Sequence, residues 1–264
     1  MVDAAWYVAC FIFIQVVVTS VCAVVWKDYL VNPLALSISM MVSSLLTILL
    51  YWLRHWWEES LTAIKSVKLS VYSALFFLAI SSFLPSLGLM ELLGVETNES
   101  MERIMMEMIM SPFGFVLIAL VVPIAEEVVL RGSFLRVLLK YQEESKAEGK
   151  NVLGRTYWLP IIISALVFGM IHGNIAQFVH ATLLGILLGW LYANTRTIVP
   201  GVFLHFLNNA ITFFIVTYSP ETNDMTILEM FEGNAVKLAI HLVVWTAVLA
   251  LSIWRLNGIF KKEA

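Results

Sequence analysis

The sequence predicts an all-α, polytopic membrane protein with about eight transmembrane helices and both termini in the cytoplasm. Composition, the lengths of the apolar runs and the distribution of positive charge all point to this class. Of 264 residues, 60% are hydrophobic and 13% are charged, whereas roughly a quarter are charged in an ordinary soluble domain. The whole chain, residues 1–264, is therefore interpreted as a single transmembrane domain in a cell membrane.

Apolar runs of the right length support this class. Because an α-helix rises 1.5 Å per residue, about 20 apolar residues cross ~30 Å of hydrocarbon. The eight predicted spans run from Ala4 to Val25, Leu34 to Leu53, Leu69 to Leu87, Pro112 to Leu130, Trp158 to His172, Ile175 to Ala193, Ile198 to Tyr218 and Val236 to Trp254. The fifth is too short to cross alone, so the turn that follows it is expected within the membrane thickness.

The positive charges predict the orientation. Cytoplasmic termini leave Lys27, Arg103 and Lys237 outside and put the rest of the 16 Lys and Arg residues, Lys65 included, inside, as the positive-inside rule requires. The same orientation puts two acidic loops outside, one with Glu96 and one with Asp224. The net charge of −3 gives no basic surface for nucleic acid, so the expected surroundings are the lipid bilayer.

Three charged residues stand out in the fourth span. A charge near the middle of a bilayer costs roughly 2.5–3.5 kcal/mol on insertion scales, so each one needs a partner or a function. Glu127 and Arg131 are one helical turn apart and can pair as an ordinary salt bridge. One Arg cannot pair both Glu126 and Glu127, so one carboxylate is left as a candidate general base. Pro123 removes a backbone donor and frees a carbonyl near Ala119.

Two further spans carry polar groups at matching depth. His172 lies at the turn that ends the fifth span, and in the seventh span His205 and Asn209 are one turn apart on a polar stripe that includes Gly201. Such a stripe can be structural glue between helices, but a histidine in it favours catalysis or an ion path. His180, in the sixth span, is interpreted mainly as packing, although it could approach the same place.

Three chemistries fit a carboxylate pair, two imidazoles and an amide in a membrane cavity. A glutamate can activate water that attacks a peptide carbonyl; Glu126 or Glu127 with His172 and His205 can bind zinc; or the groups can relay protons or ions in a transporter. The chain has no His-Glu-x-x-His zinc motif, no Gly-x-Ser-x-Gly serine elbow and no repeated half typical of transporters. These absences count against a serine hydrolase and a transporter, and they leave both glutamate-activated water and zinc-bound water open.

The three motifs also resemble those of a known family. Glu126-Glu127-x-x-x-Arg131, Phe168-x-x-x-His172 and His205-x-x-x-Asn209 are similar, in this order, to the motifs of the CAAX-processing and bacteriocin-processing membrane peptidases, the type II CAAX endopeptidase group. The resemblance spans about residues 112–215, the expected peptidase core.

The resemblance implies an eight-helix protein with a cavity open to the cytoplasmic side. It implies Glu126 as the base, His172 as its partner, His205 and Asn209 as stabilisers of the tetrahedral intermediate, and Glu127 and Arg131 as residues that orient the glutamate helix. The implied substrate is a membrane-associated or lipidated peptide, prenylated or otherwise membrane-bound. Alternatives are a non-catalytic scaffold or bacteriocin-immunity-type protein, or an ion-coupled or proton-coupled transporter.

Overall fold

A computed structural model describes residues 2–57, 67–94, 99–222 and 225–263, with the side chains of Val2, of residues 99–102 and of Glu263 left out. These ranges are helical, with no strand among them, so the predicted all-α class is confirmed. Lys65, Glu96 and Asp224, which the sequence assigns to loops, lie outside the described residues.

The described residues form ten α-helices. They are α1 (Val2–Val25), α2 (Pro33–Leu53), α3 (Leu69–Leu92), α4 (Glu99–Ile109), α5 (Val122–Glu127), α6 (Arg136–Ala147), α7 (Trp158–Met170), α8 (Ile175–Thr195), α9 (Val199–Tyr218) and α10 (Ala235–Glu263). Short 3-10 turns occupy Tyr29–Val31, Pro220–Thr222 and Glu229–Phe231.

Among the described residues, six helices are long and apolar enough to cross a membrane: α1, α2, α3, α8, α9 and α10. α7 is a shorter apolar helix and ends in the predicted turn, where Gly173 has φ +72°. The protein is thus a polytopic membrane protein. The count of eight spans and the cytoplasmic position of both termini stay predictions.

The fourth predicted span belongs to a longer helix, here named the glutamate helix, which covers residues 116–147. Its α-helical parts, α5 and α6, alternate with π-helical parts at Val116–Val121 and Val128–Leu135. In the first π segment the N–H of Val122 bonds the carbonyl of Leu117, five residues back. π-Helical turns widen a helix locally and are frequent at functional sites, and here they flank the two glutamates on both sides.

Asparagine side chains set the start of two helices. Asn32 Oδ1 accepts from the backbone N–H of Ala35 at 3.1 Å, directly before Pro33 opens α2. Asn174 Oδ1 accepts from the N–H of Gln177 at 2.8 Å and begins α8. An N-cap satisfies a backbone donor that has no partner inside the helix. The second cap fixes where the chain turns back after His172.

The glutamate helix, α7, α8 and α9 form the centre of the bundle. Half of the spanning residues of α8 are buried, against 17% in α1 and 6% in α10. α1 and α2 pack beside the glutamate helix, whereas α3 packs on α9 and carries α10 on its outer side. The helices with the three motifs are therefore enclosed by helices that have no motif.

Glycines bring α7 and α8 into close contact. A Cβ on Gly169 would lie 2.3 Å from Thr182 Oγ1, and a Cβ on Gly185 would lie 3.0 Å from Ala165 Cα. Small residues let transmembrane helices approach at backbone distance, where van der Waals packing replaces the absent hydrophobic drive. This contact fixes the depth at which the α7–α8 turn presents His172.

Candidate active site

The two adjacent glutamates of the glutamate helix point to different neighbours. Successive residues on a helix lie about 100° apart, so Glu126 and Glu127 cannot share one environment. Glu127 is completely buried, whereas Glu126 keeps 8% of its surface exposed and lines a cavity. The sequence alone could not tell which carboxylate would be free; the structure leaves Glu126 free of the arginine.

Glu127 is bound by Arg131. Arg131 Nη1 donates to Glu127 Oε1 at 2.7 Å, and both side chains are fully buried. Arg131 Nη2 also donates to the carbonyl of Gly185 at 3.1 Å, and its guanidinium lies 4.6 Å from the centre of the Phe168 ring. The arginine thus neutralises one of the two carboxylates and ties the glutamate helix to α7 and α8.

Because Gly201 has no side chain, the Glu127 carboxylate can lie next to it. A Cβ at this position of α9 would lie 2.8 Å from Glu127 Oε2, which is closer than real Cβ atoms approach. Glu127 Oε2 is buried without a hydrogen-bond partner among the described residues. α9 can therefore approach the glutamate pair only because residue 201 has no side chain.

His205 of α9 lies between the two carboxylates. Its Nε2 is 3.7 Å from Glu126 Oε2 and its Nδ1 is 3.5 Å from Glu127 Oε1. The ring is 3% exposed and packs edge-on against Phe168, with ring centres 5.6 Å apart. The imidazole faces both carboxylates without contacting bulk water.

His172 is oriented by the end of its own helix. Its Nδ1 lies 2.8 Å from the carbonyl oxygen of Phe168. Because a carbonyl can only accept, Nδ1 carries the proton, and Nε2 of the neutral ring keeps its lone pair. The Phe168 ring supports this imidazole too, with ring centres 5.0 Å apart. Phe168 therefore contacts both imidazoles and Arg131.

Glu126 and His172 share one cavity of about 190 Å³. Polar side chains line one part of the cavity: Gln15, Ser43, Ser44, Glu126, His172 and Gln177. Apolar side chains line the rest: Phe11, Met40, Val122 and Ile171. Phe11 and Gln15 lie midway along α1, and Ser43 and Ser44 lie midway along α2. The cavity is thus at mid-depth of two candidate membrane spans.

Asn209 contacts the backbone of the glutamate helix. Its Nδ2 donates to the carbonyl of Ile118 at 2.9 Å. In the register of the first π segment, this carbonyl would accept from residue 123, which is a proline without an N–H. The sequence predicted a carbonyl freed by Pro123 near Ala119; the π register favours Ile118 as that carbonyl, and Asn209 supplies the missing donor.

Two sets of polar residues were missed or undervalued by the sequence analysis. His180 Nδ1 lies 3.2 Å from Ser86 Oγ of α3, and its Nε2 lies 3.4 Å from Asn208 Nδ2, next to Asn209. His180 therefore belongs to a polar chain that ends at the motif residue Asn209. The other set is Gln15 with the serines of α2; a glutamine inside a long apolar run was the available signal.

The described residues do not form a ready-made zinc site. Within the described ranges, no three His, Cys, Asp or Glu side chains lie close enough together to hold a metal ion. Zinc sites use about three protein ligands at roughly 2.0–2.3 Å. Glu126 and His205 lie 3.7 Å apart, but His172 does not complete a triad with them.

Comparison with known proteins bears on the motif-bearing segment. Residues 108–211 match the family model described as Type II CAAX prenyl endopeptidase Rce1-like. Comparison with the curated proteins and with the solved structures gave no match. Glu126, His172, His205 and Asn209 fall inside the matched segment, whereas α1 and α2 lie before it. The resemblance of the three motifs to the type II CAAX endopeptidase group is thus confirmed as a similarity over residues 108–211.

Proposed function

We propose that the protein is an intramembrane endopeptidase that hydrolyses a peptide bond in a membrane-associated or lipidated peptide, using water activated by Glu126. One observation carries the proposal. Glu126 faces a cavity that it shares with His172 and lies 3.7 Å from His205, while Arg131 neutralises only its neighbour Glu127. A carboxylate left without its own cation in a cavity suits a general base.

The four motif side chains have different roles in the proposed reaction. Water lies between the Glu126 carboxylate and Nε2 of His172, the nitrogen that keeps its lone pair. His205, whose Nε2 faces Glu126, donates to the oxyanion that forms when water attacks the carbonyl carbon. Asn209 holds the glutamate helix through Ile118; a direct contact of Asn209 with the intermediate stays a prediction of the resemblance.

The reaction is a simple hydrolysis. Glu126 accepts a proton from water, the water oxygen bonds to the carbonyl carbon, and the carbonyl π electrons move to the oxygen. When the tetrahedral intermediate collapses, the C–N bond breaks and the proton on Glu126 passes to the leaving nitrogen. One water is consumed, and a carboxyl group and an amine are released.

The substrate class follows from the family and from the depth of the cavity. The matching family is described as one of CAAX prenyl endopeptidases, and prenyl groups are attached to a cysteine near a protein C-terminus. A cavity midway along α1 and α2 suits a peptide held at the membrane by its lipid. We propose cleavage near the C-terminus of such a peptide.

The test uses purified protein in detergent and a farnesylated peptide with a fluorophore and a quencher on either side of the expected scissile bond. Wild-type protein should cleave it, and Glu126→Ala or His172→Ala should each lower kcat by about 10²–10⁴-fold, the usual contribution of acid–base catalysis. Equal cleavage by wild type and both variants, or no cleavage by wild type, would reject the proposal.

Two variants serve as matched controls. Glu107→Ala removes an exposed glutamate from α4. His241→Ala removes a histidine whose Nδ1 also bonds a backbone carbonyl four residues earlier, that of Lys237, at 2.8 Å. Both should retain wild-type kcat, because neither residue lines the cavity.

A further inference from the structure

The cavity has a polar wall that the matched segment does not supply. Gln15 comes from α1, and Ser43 and Ser44 come from α2, whereas the family match begins at residue 108. These residues line the same space as Glu126 and His172. Amide and hydroxyl side chains have no acid–base task in the proposed reaction, so another task must explain their position.

Gln15 occupies an unfavourable position for a carboxamide. Among the residues one helical turn away, Ile12 is 47% exposed, whereas Phe11 and Val18 are 2% and 8% exposed, so Gln15 lies at the border between the outer and the packed side of α1. Gln15 is itself exposed, and the described part of the chain gives it no hydrogen-bond partner. An unpaired amide in hydrocarbon is costly. Gln15 thus stands at the rim of the cavity, and its carboxamide has no hydrogen-bond partner among the residues that the structure describes.

The serines of α2 add hydroxyl groups to the same wall. Ser43 Oγ donates to the carbonyl of Met40 at 3.1 Å, which leaves its oxygen lone pairs as acceptors. Ser44 is buried and, within the described ranges, has no protein partner; its hydroxyl can donate and accept. Together with Gln15, this wall offers both donors and acceptors.

A peptide that is to be cut inside a membrane needs such groups. The scissile carbonyl must be reachable by water, so the segment around it cannot stay helical, and its N–H and C=O groups lose their internal partners. Unpaired backbone groups are strongly unfavourable in a low-dielectric cavity. A carboxamide has N–H donors and a carbonyl acceptor, as a peptide group does. It can therefore donate to a C=O and accept from an N–H of an extended strand.

We propose that Gln15 and Ser44, assisted by Ser43, bind the backbone of the extended substrate segment next to the scissile bond. This assignment rests on the proposed endopeptidase function. It makes α1 and α2 part of the substrate site, with Gln15 at the rim where a membrane-held peptide enters sideways. The ligand class is an unfolded peptide backbone, recognised by its amide groups and not by its side chains.

The experiment combines protein variants with backbone-modified reporters. The protein variants are Gln15→Leu and Ser44→Ala. The reporters are the farnesylated peptide and two derivatives in which the amide on one side or the other of the scissile bond is replaced by an ester, which removes one N–H. Each lost hydrogen bond should raise KM by about threefold to tenfold, while kcat stays within about twofold of wild type.

The coupling between the two changes is decisive. If Gln15 or Ser44 bonds the replaced amide, the ester should raise KM in wild type and raise it no further in the matching variant. An ester effect of the same size in wild type and in both variants would overturn the proposal. A lower kcat without a change in KM would also overturn it, because that pattern indicates that the wall holds only the attacking water.

Matched controls come from the same two helices. Ser37→Ala removes a buried α2 hydroxyl that does not line the cavity, and Thr19→Val removes an α1 hydroxyl that lies 3.5 Å from Ser39 Oγ. Both should leave KM unchanged. A KM increase in these controls equal to that in Gln15→Leu would mean that general loosening of α1 and α2 explains the effect.

Substrate binding is measured in parallel, so that the role of Gln15 and Ser44 in binding is tested separately from hydrolysis. Fluorescence anisotropy gives the Kd of the uncleaved reporter for Glu126→Ala alone and for Glu126→Ala combined with Gln15→Leu or Ser44→Ala. The combined variants should bind about threefold to tenfold more weakly. Absence of cleavage by wild type would contradict the proposed function. Equal Kd values for Glu126→Ala and the combined variants would contradict substrate binding by Gln15 and Ser44.

Discussion

Glu127 and Arg131 are both fully buried and form an ion pair with each other. Arg131 also contacts the carbonyl of Gly185 and the ring of Phe168. A buried pair of this kind contributes little net stability, but the loss of one partner leaves a buried charge without compensation. The pair therefore constrains which substitutions the glutamate helix tolerates, independently of any chemistry at Glu126.

Removal of Arg131 alone should destabilise the protein severely. We expect Arg131→Met to lower the free energy of unfolding by about 3–5 kcal/mol, and the double variant Glu127→Gln, Arg131→Met to recover much of this loss because no charge is left buried. Thermal melting in detergent measures both. A double variant as unstable as Arg131→Met would show that the arginine contributes through packing on Phe168 and not through its charge.

The predicted zinc ligands are likewise single side chains whose placement can be compared with a metal site. Glu126, His172 and His205 were the predicted zinc ligands if a metal is present, and the described side chains are not arranged as such a triad. We expect active protein to contain less than one zinc per chain by elemental analysis and to keep its activity after treatment with a chelator. Stoichiometric zinc that leaves together with the activity would contradict the Glu126 mechanism and favour metal-bound water.

At the level of elements, the first π segment explains why α9 needs Asn209. Pro123 cannot donate to the Ile118 carbonyl, and Asn209 does so from the neighbouring helix at 2.9 Å. This contact lies within one polar chain with Asn208, His180 and Ser86. α3, α8 and α9 are thus linked to the glutamate helix by side-chain hydrogen bonds.

This reading predicts a coupling between Pro123 and Asn209. Asn209→Ala should destabilise the protein by about 1–3 kcal/mol, since it removes the donor to the part-buried carbonyl of Ile118. In a Pro123→Ala background the new N–H of residue 123 can bond that carbonyl, and the same Asn209→Ala change should cost less. Melting temperatures of the four proteins measure this coupling.

Additive effects of the two changes would contradict the capping role of Asn209. If Asn209→Ala left the melting temperature unchanged but abolished cleavage, Asn209 would act on the tetrahedral intermediate, as the resemblance implies. Thr212→Ala provides the control, because Thr212 lies on the same helix and its hydroxyl donates to the carbonyl of Asn208.

Sequence periodicity predicted the long apolar helices because length and hydrophobicity alone define a span. The same reasoning could not predict the π segments, since a shift from four-residue to five-residue hydrogen bonding hardly changes the apolar pattern. It named Glu126, His172 and His205 because ionisable groups are rare in spans. It passed over Gln15 because an uncharged amide gives a weaker signal, and its position in the cavity depends on how α1 packs.

For the whole molecule, the orientation in the membrane is a prediction from charge alone. It places Lys150, after α6, in the cytoplasm and Glu221, after α9, outside; both residues are exposed. In a background without Cys10 and Cys22, a cysteine at position 221 should react with a membrane-impermeant maleimide in intact cells, and a cysteine at position 150 should react only after lysis. The reverse pattern would invert the topology.

The fit between Gly169 and Thr182 and between Gly185 and Ala165 has a dynamic consequence. Two helices that meet at backbone distance cannot slide or separate without opening a void, so α7 and α8 must move together as one rigid body with His172 at its tip. α1, with 17% of its span buried, can exchange neighbours for lipid tails at small cost. The cavity should therefore open and close on the side of α1. A covalent crosslink between α1 and α2 should lower kcat while the catalytic side chains stay in place.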